Sequence, residues 1–291
     1  MNALTSNPDI LAAGLPCPDV VQQIETIEHR IRANPADASH RWALFQWLCV
    51  AREWKRAVGQ LQVFGQLDRT RDAVVQAYRD LIRAECWREQ VMAGERVPAF
   101  VMDDMPQWIA GLGKALHLMA HGKLDAADEA REAALDAAPS IKGTGGGHAF
   151  EWIADSDSRL GPVCELIVAG SYRWLSVADI ASWHIVEPAG LLDLVWVACA
   201  VTLHDGTALR GFMPARYAPS PDVPASGRAD DNVLAIGRCT HWHRTGRSGV
   251  IGVGGKTWAT SAGDIGIFEL RDCIFGDRCA STLLASAEGA Q

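Results

Sequence analysis

The chain has 291 residues, 48% of them hydrophobic and 21% charged, which excludes wholesale disorder and leaves room for about two domains. Lys and Arg number 27 against 35 Asp and Glu, a net charge of −8, with 16 basic against 19 acidic residues up to Gly145 and 11 against 16 after it. Neither part has the basic excess that holds a protein on phosphate backbones or anionic lipid, so no nucleic-acid partner is expected.

The opening stretch has no basic n-region, and its apolar run at residues 10–15 is short and precedes two prolines, so no signal peptide is expected. The longest apolar run, residues 194–201, is far below the roughly 20 residues that span a bilayer. No membrane insertion and a cytoplasmic location are expected. Periodicity predicts helices through the first 140 residues. Trp42, Phe45 and Cys49 share one stripe while Leu44, Trp47, Leu48 and Ala51 share another, the pattern of a helix sandwiched between neighbours. Trp54, Ala57, Val58, Leu61, Phe64 and Leu67 form a single amphipathic stripe. Further stripes run through Val75, Tyr78, Ile82 and Cys86, then Trp108, Leu112, Ala115, Leu116 and Met119, and a last helix ends at Pro139. Ala57 and Ala127 lie 70 residues apart and Pro35 and Pro139 lie 104 apart. Both spacings approach multiples of a helix-turn-helix unit of about 34 residues, so a tetratricopeptide-like hairpin stack with a binding surface is expected, its middle unit fitting poorly.

Residues 140–147, with four glycines in eight positions, read as a hinge. The expected organisation is a helical domain over 1–142, a Gly-rich linker over 143–149 and a β-rich, barrel-like domain over 150–291, an α+β chain overall. In the second part, residues 162–168 and 172–175 flank an Ala169-Gly170-Ser171 turn, and residues 197–203 and 209–213 flank Asp205-Gly206, a strong hairpin signal. Short strands are predicted over 233–236, 250–253, 258–260 and 265–270, a helix near 177–183, and a proline-rich surface loop over 214–227. Together these suggest a small antiparallel barrel or curled sheet.

Catalytic chemistry finds little foothold. The segment from Gly252 to Thr257 resembles a phosphate loop but has Val250 where that motif needs glycine, and no helix follows, so it reads as a glycine-rich turn. Cys239, His241 and His243 alternate along a strand and lack a clear fourth ligand, unless His184 or His204 folds in. Asp155 and Asp157 read as turn caps, with Arg159 as counter-ion. The eight cysteines, Cys17, Cys49, Cys86, Cys164, Cys199, Cys239, Cys273 and Cys279, contain no C-x-x-C pair and read as reduced thiols. No cofactor, metal or catalytic residue is assigned. Among the tryptophans, core packing is the first expectation; Trp42, Trp47 and Trp54 are the ones to watch as exposed anchors.

The two parts together resemble the ImpE/TagJ family of type VI secretion accessory proteins. The resemblance runs through Phe150-Glu-Trp-Ile-Ala-Asp-Ser-Asp-Ser-Arg-Leu-Gly-Pro162, Cys164-Glu-Leu-Ile-Val, Gly170-x-Tyr172-x-Trp174, Leu192-x-Leu-Val-Trp196, Leu203-x-Asp205-Gly206 and Met213-Pro-Ala-Arg-Tyr217. It includes Pro35-x-Asp37, Arg41-x-x-Leu44-Phe45 and Glu53-Trp54-x-Arg56-Ala57 near the N-terminus. The resemblance implies a non-enzymatic adaptor that binds the N-terminal helix of the small contractile-sheath subunit (TssB) and in some members contacts the disassembly ATPase (ClpV). For such a helix the candidate seat is Arg41, Trp42, Phe45, Arg52, Trp54, Lys55 and Arg56, aromatic anchors ringed by cations. Two other readings are a ligand sensor built on the β-domain and a metal-dependent enzyme using Cys239, His241 and His243, or Asp155 and Asp157.

Overall fold

The structure is a computed structural model, described here for residues 17–220, 223 and 228–276. The chain begins with α1 (Val20–Ala33), α2 (Ala38–Val50) and α3 (Trp54–Leu67). Asp19 and Asp37 cap the first two, their carboxylates accepting from the Gln22 and Ser39 amides and satisfying donors that the first turn leaves free. α1 buries Val20, Ile24, Ile27 and Ile31, a single face. α2 buries Trp42, Leu44, Phe45, Trp47, Leu48, Cys49 and Val50 around most of its circumference, as its double stripe predicts.

α4 (Asp72–Met92) follows, then β1 (Ala99–Phe100), α5 (Gln107–Ala120) and α6 (Leu124–Asp136). The α2–α3 and α5–α6 hairpins carry the 70-residue spacing: Ala57 and Ala127 occupy matching buried positions. Between α5 and α6 the approach is close, since a Cβ on Gly111 would lie 3.0 Å from that of Ala134. The middle unit fits poorly in sequence because it is not a hairpin. α4 is one long helix, and it packs on the sheet strand at Ser171–Ser176, with the 93–106 connection in place of a second helix.

The strands are β2 (Gly143–Gly145), β3 (His148–Phe150), β4 (Ile153–Asp155), β5 (Val163–Val168), β6 (Ser171–Ser176), β7 (Ile180–Ile185), β8 (Trp196–Leu203), β9 (Ala208–Pro214), then, beyond α7 (Arg228–Ala235), β10 (Thr240–Thr245), β11 (Gly249–Gly254), β12 (Thr257–Thr260), β13 (Gly263–Gly266) and β14 (Asp272–Phe275). Nine form one sheet in the order β1-β6-β5-β9-β8-β7-β14-β2-β3. It runs from one edge strand to another, so the expected barrel is corrected to an open sheet. β13-β12-β4 and the β10-β11 hairpin lie apart from it.

Both expected hairpins form. β5 and β6 pair from Val163↔Ser176 to Val168↔Ser171, and the turn places Ala169 at φ 49° and Gly170 at φ 71°, the left-handed pair that a two-residue hairpin turn requires. β8 and β9 pair across Asp205-Gly206.

Other expectations fail. Residues 177–183 make one 3-10 turn and enter β7. Residues 233–235 belong to α7, which ends against Gly237 at φ 71°. The expected loop over 214–227 starts with residues 214–218 buried; its remainder lies largely outside the described residues, as does Cys279.

The glycine run is not a hinge. β2 pairs with both β14 and β3, and a Cβ on Gly145 would meet Cys273 Sγ at 2.3 Å. These glycines admit a neighbouring strand at close quarters. The expected 143–149 linker is therefore part of the sheet.

The sheet has a core on each face. One joins α1–α6 to Val163, Ile167, Tyr172, Trp174 and Trp196. The other gathers Cys164, Leu166, Leu175, Trp183, Val197, Met213, Trp258 and Phe275. Strand alternation in β5 therefore turns Glu165, between Val163 and Ile167, toward the helices.

Candidate functional site: a buried charged junction

The helical face of the sheet carries charge where an apolar layer is expected. α4 presents Glu85 and Arg88, one turn apart, toward Glu165 of β5. Arg88 donates from Nε and Nη2 to the two Glu165 oxygens at 2.7 and 3.0 Å, and from Nη1 to Glu85 at 2.9 Å. Its Nη2 also reaches the Arg216 carbonyl at 2.9 Å. The Tyr172 hydroxyl donates to Glu165 at 2.6 Å, and the Trp196 indole to Glu85 at 3.0 Å. Lys256, supplied by the glycine-rich turn between β11 and β12, pairs with Glu165 and with Asp155, the latter at 2.7 Å. Arg159 grips Asp157 with both Nε and Nη2, and Asp155 and Asp157 accept from amides two residues on. The turn-cap reading of Asp155-Ser-Asp157 holds, with Asp155 drawn into a larger network.

Arg216 ties two helix ends together. Its guanidinium donates to the carbonyls of Cys49 and Val50 at the end of α2, and to that of Ala235 at the end of α7. Helix C-termini carry partial negative charge, so they help to compensate this buried cation, as the Glu85 carboxylate does. Burial, seconded by the nearby Arg52 charge, still lowers its pKa to about 9.

Glu85, Arg88, Asp155, Glu165 and Lys256 are each at most 4% exposed. Their hydrogen bonds run to one another and to Arg52, Tyr172, Trp196, Tyr217 and the Arg216 carbonyl. The arrangement fixes the helices on the sheet. Burial opposes ionisation of Glu165 and Glu85. The Arg88 guanidinium, joined by Lys256 at Glu165 and by Arg52 at Glu85, outweighs it and lowers both pKa values. Asp155 goes the other way: burial, with Asp157 and Glu165 adding to it, raises its pKa to about 6 against the pull of Lys256. Its contribution to stability is thus present below the ordinary carboxylate value and lost as pH rises through about 6, whereas that of Glu165 and Glu85 is lost as pH falls below their ordinary range. In Asp155→Asn, stability is expected to rise more steeply between about pH 4.5 and 6.5 than in the unmutated chain. Urea unfolding at both pH values measures this slope, and an unchanged slope would contradict the raised Asp155.

The seat expected for a partner helix is differently built. Trp42, Phe45, Trp47 and Trp54 are buried. Trp42 packs on Phe45 and Phe64 with ring centroids 5.1 Å away in each case, and Trp54 lies 5.7 Å from Trp196 and donates to Glu89 at 3.0 Å. The aromatic groove expected there is corrected to core. Arg52, at φ 59°, bonds Glu85, Glu89 and the Tyr217 carbonyl, so it belongs to the junction. Arg41 is half-buried and donates to Gln60, Lys55 is exposed, and Arg56 pairs with Glu28 and Glu53 on the surface.

On β10, His241 is exposed and His243 half-buried, and Cys239, just before the strand, is half-buried, while His184 pairs with Asp272 across β7 and β14. Among the described residues no group of three or more His, Cys, Asp or Glu is placed to hold a metal ion, and no helix is long and apolar enough to cross a membrane. The sequence reading passed over Glu85, Arg88, Glu165, Lys256 and Arg216. The available signal was a lone glutamate inside the apolar run Val163-Cys-Glu-Leu-Ile-Val168, because a charge buried in a strand demands a partner.

Comparison with known proteins agrees with this architecture. A crystal structure of a Vibrio parahaemolyticus protein superposes with a TM-score of 0.80, covering 90% of this chain and 96% of that one at 23% identity, which supports the fold. The profile described as ImpE protein matches residues 147–274. The type VI secretion system accessory component TagJ of Pseudomonas aeruginosa is 38% identical over 252 residues, covering 87% of this chain and 86% of TagJ. With the helical hairpins, the open sheet and this match along most of its length, the chain belongs to the ImpE/TagJ family of type VI secretion accessory proteins.

Proposed function

We propose that the chain is a non-catalytic, cytoplasmic adaptor of the type VI secretion system. It holds the N-terminal helix of the small sheath subunit (TssB) and links the sheath to the ClpV disassembly ATPase. The likeness to TagJ over most of both chains carries this reading. The α2–α3 and α5–α6 hairpins support it as a tetratricopeptide-like scaffold, since stacked hairpins characteristically present a surface to peptides. The charged junction supports it as well: its ionisable groups are consumed in fixing the two layers.

Isothermal titration of a synthetic TssB N-terminal-helix peptide into the full chain tests the proposal. Saturable one-to-one binding in the micromolar range or tighter is expected, and absence of heat at peptide concentrations approaching millimolar would remove the sheath partner. The ClpV link is read separately, by whether the chain retains the ATPase on a column carrying sheath peptide.

A further inference from the structure

We infer that His117 and His121, at the end of α5, form a two-histidine chelate for a divalent transition-metal ion of the copper, nickel or zinc kind, each ring binding through Nε2. Residues four apart lie one above the other on a single helix face, and this is the interval at which two helical histidines share a metal ion in zinc-binding helices. Both residues are exposed. Their ring centroids are 4.3 Å apart, with the planes tilted by 44°, so the two side chains already stand together at the surface.

Both rings are held in the form that a metal needs. His121 Nδ1 lies 2.8 Å from the His117 carbonyl, and His117 Nδ1 lies 3.4 Å from the Gly94 carbonyl. A carbonyl only accepts, so each Nδ1 carries a proton and the lone pair of each neutral ring stands on Nε2. Donation from the second nitrogen to a backbone carbonyl is the usual support of a ligating histidine, since it fixes the ring and strengthens the ligand. The bond within the pair has a local origin: the His121 amide turns to the Leu118 and Met119 carbonyls as α5 ends, and the His121 ring meets the His117 carbonyl instead. The partial negative charge of a helix C-terminus favours a cation at this position. Glu95 and Lys114 line the same cavity as His117; their charges oppose each other, so the nitrogens rather than the surroundings select the ion. Two protein ligands leave the remaining coordination positions to water. For such a site copper(II) ranks above nickel and zinc, which makes it the strongest probe. A bound ion fixes both rings, and through them ties the last turn of α5 to the turn at Gly94.

The test titrates copper(II), and separately zinc, into the untagged full chain, with thermal melts and electron paramagnetic resonance alongside. The unmutated chain should take up one tight equivalent of copper with two imidazole nitrogens in its spectrum. Its melting temperature should rise, because the paired geometry exists only in the folded helix. His117→Ala and His121→Ala should each weaken that equivalent at least tenfold and remove the rise, read for each variant against its own metal-free melt. His241→Ala/His243→Ala, which removes the alternating pair on β10, should leave both unchanged. Retention of the tight equivalent in His117→Ala and His121→Ala overturns the site, as does its loss only in the β10 variant. Uptake of no copper by the unmutated chain below millimolar concentration overturns it as well.

Discussion

Glu165→Ala is expected to destabilise the chain by about 3–5 kcal/mol, the range found when one member of a buried ion pair is removed. Glu165 receives Arg88 through two nitrogens, together with Tyr172 and Lys256. Deleting it leaves two buried cations and a hydroxyl short of an acceptor. Arg88 keeps Glu85 and Lys256 keeps Asp155, which limits the loss without restoring charge balance. Glu165→Gln separates charge from shape: it keeps the volume and an acceptor for Tyr172 while removing the negative charge, and most of the loss is expected to remain. The paired change Arg88→Met/Glu165→Leu should cost much less than its two single changes added together, because an apolar pair needs no desolvated partner. Urea unfolding of Arg88→Met, Glu165→Leu and the double variant beside the unmutated chain measures the coupling. A loss below about 1 kcal/mol for Glu165→Ala, the range of an exposed pair, would mean that the junction is hydrated in solution.

How far the chain is legible from its sequence varies by element, for reasons that lie in particular residues. The helices of the α2–α3 and α5–α6 hairpins are readable because their apolar spacing is set by the turn of the helix alone. The β5–β6 and β8–β9 hairpins are readable because Ala169-Gly170 and Asp205-Gly206 encode their turns locally. The glycines at 143 and 145 mislead, since glycine signals freedom in an isolated segment. Here their missing Cβ atoms make room for Cys273 and Ile274 of β14, far away in sequence. Arg52 misleads in the same way. Among the basic residues around Trp54 it reads as a surface cation, yet its backbone is left-handed and its side chain reaches Glu85 of α4 and the Tyr217 carbonyl, partners 33 and 165 residues away. The charged junction was hidden because its members are drawn from α4, β4, β5 and the β11–β12 turn, and no spacing along the chain relates them.

The same long-range dependence decides what happens when the chain is divided. Residues 1–142 expressed alone are expected to retain helical circular dichroism but to lack a cooperative urea transition. In that fragment Glu85 and Arg88 lose Glu165 and the Trp196 indole, the α2 C-terminus loses Arg216, and the apolar layer shared with β5, β6 and β8 is exposed. Buried charges without partners and a one-sided core describe a loosely packed state that binds hydrophobic dye. The remaining piece fares no better, because Glu165 loses Arg88 and β6 loses both its edge partner β1 and the covering α4. The intact chain, with one core running from α1 to the sheet, should unfold in a single transition that helical and tryptophan signals report together. Limited proteolysis adds an independent reading: Lys142 is exposed, but the backbone after it is paired on both sides by β14 and β3, so trypsin should show no preference for it. Early cleavage there, or two separate unfolding transitions, would restore the glycine run as a linker between independent domains.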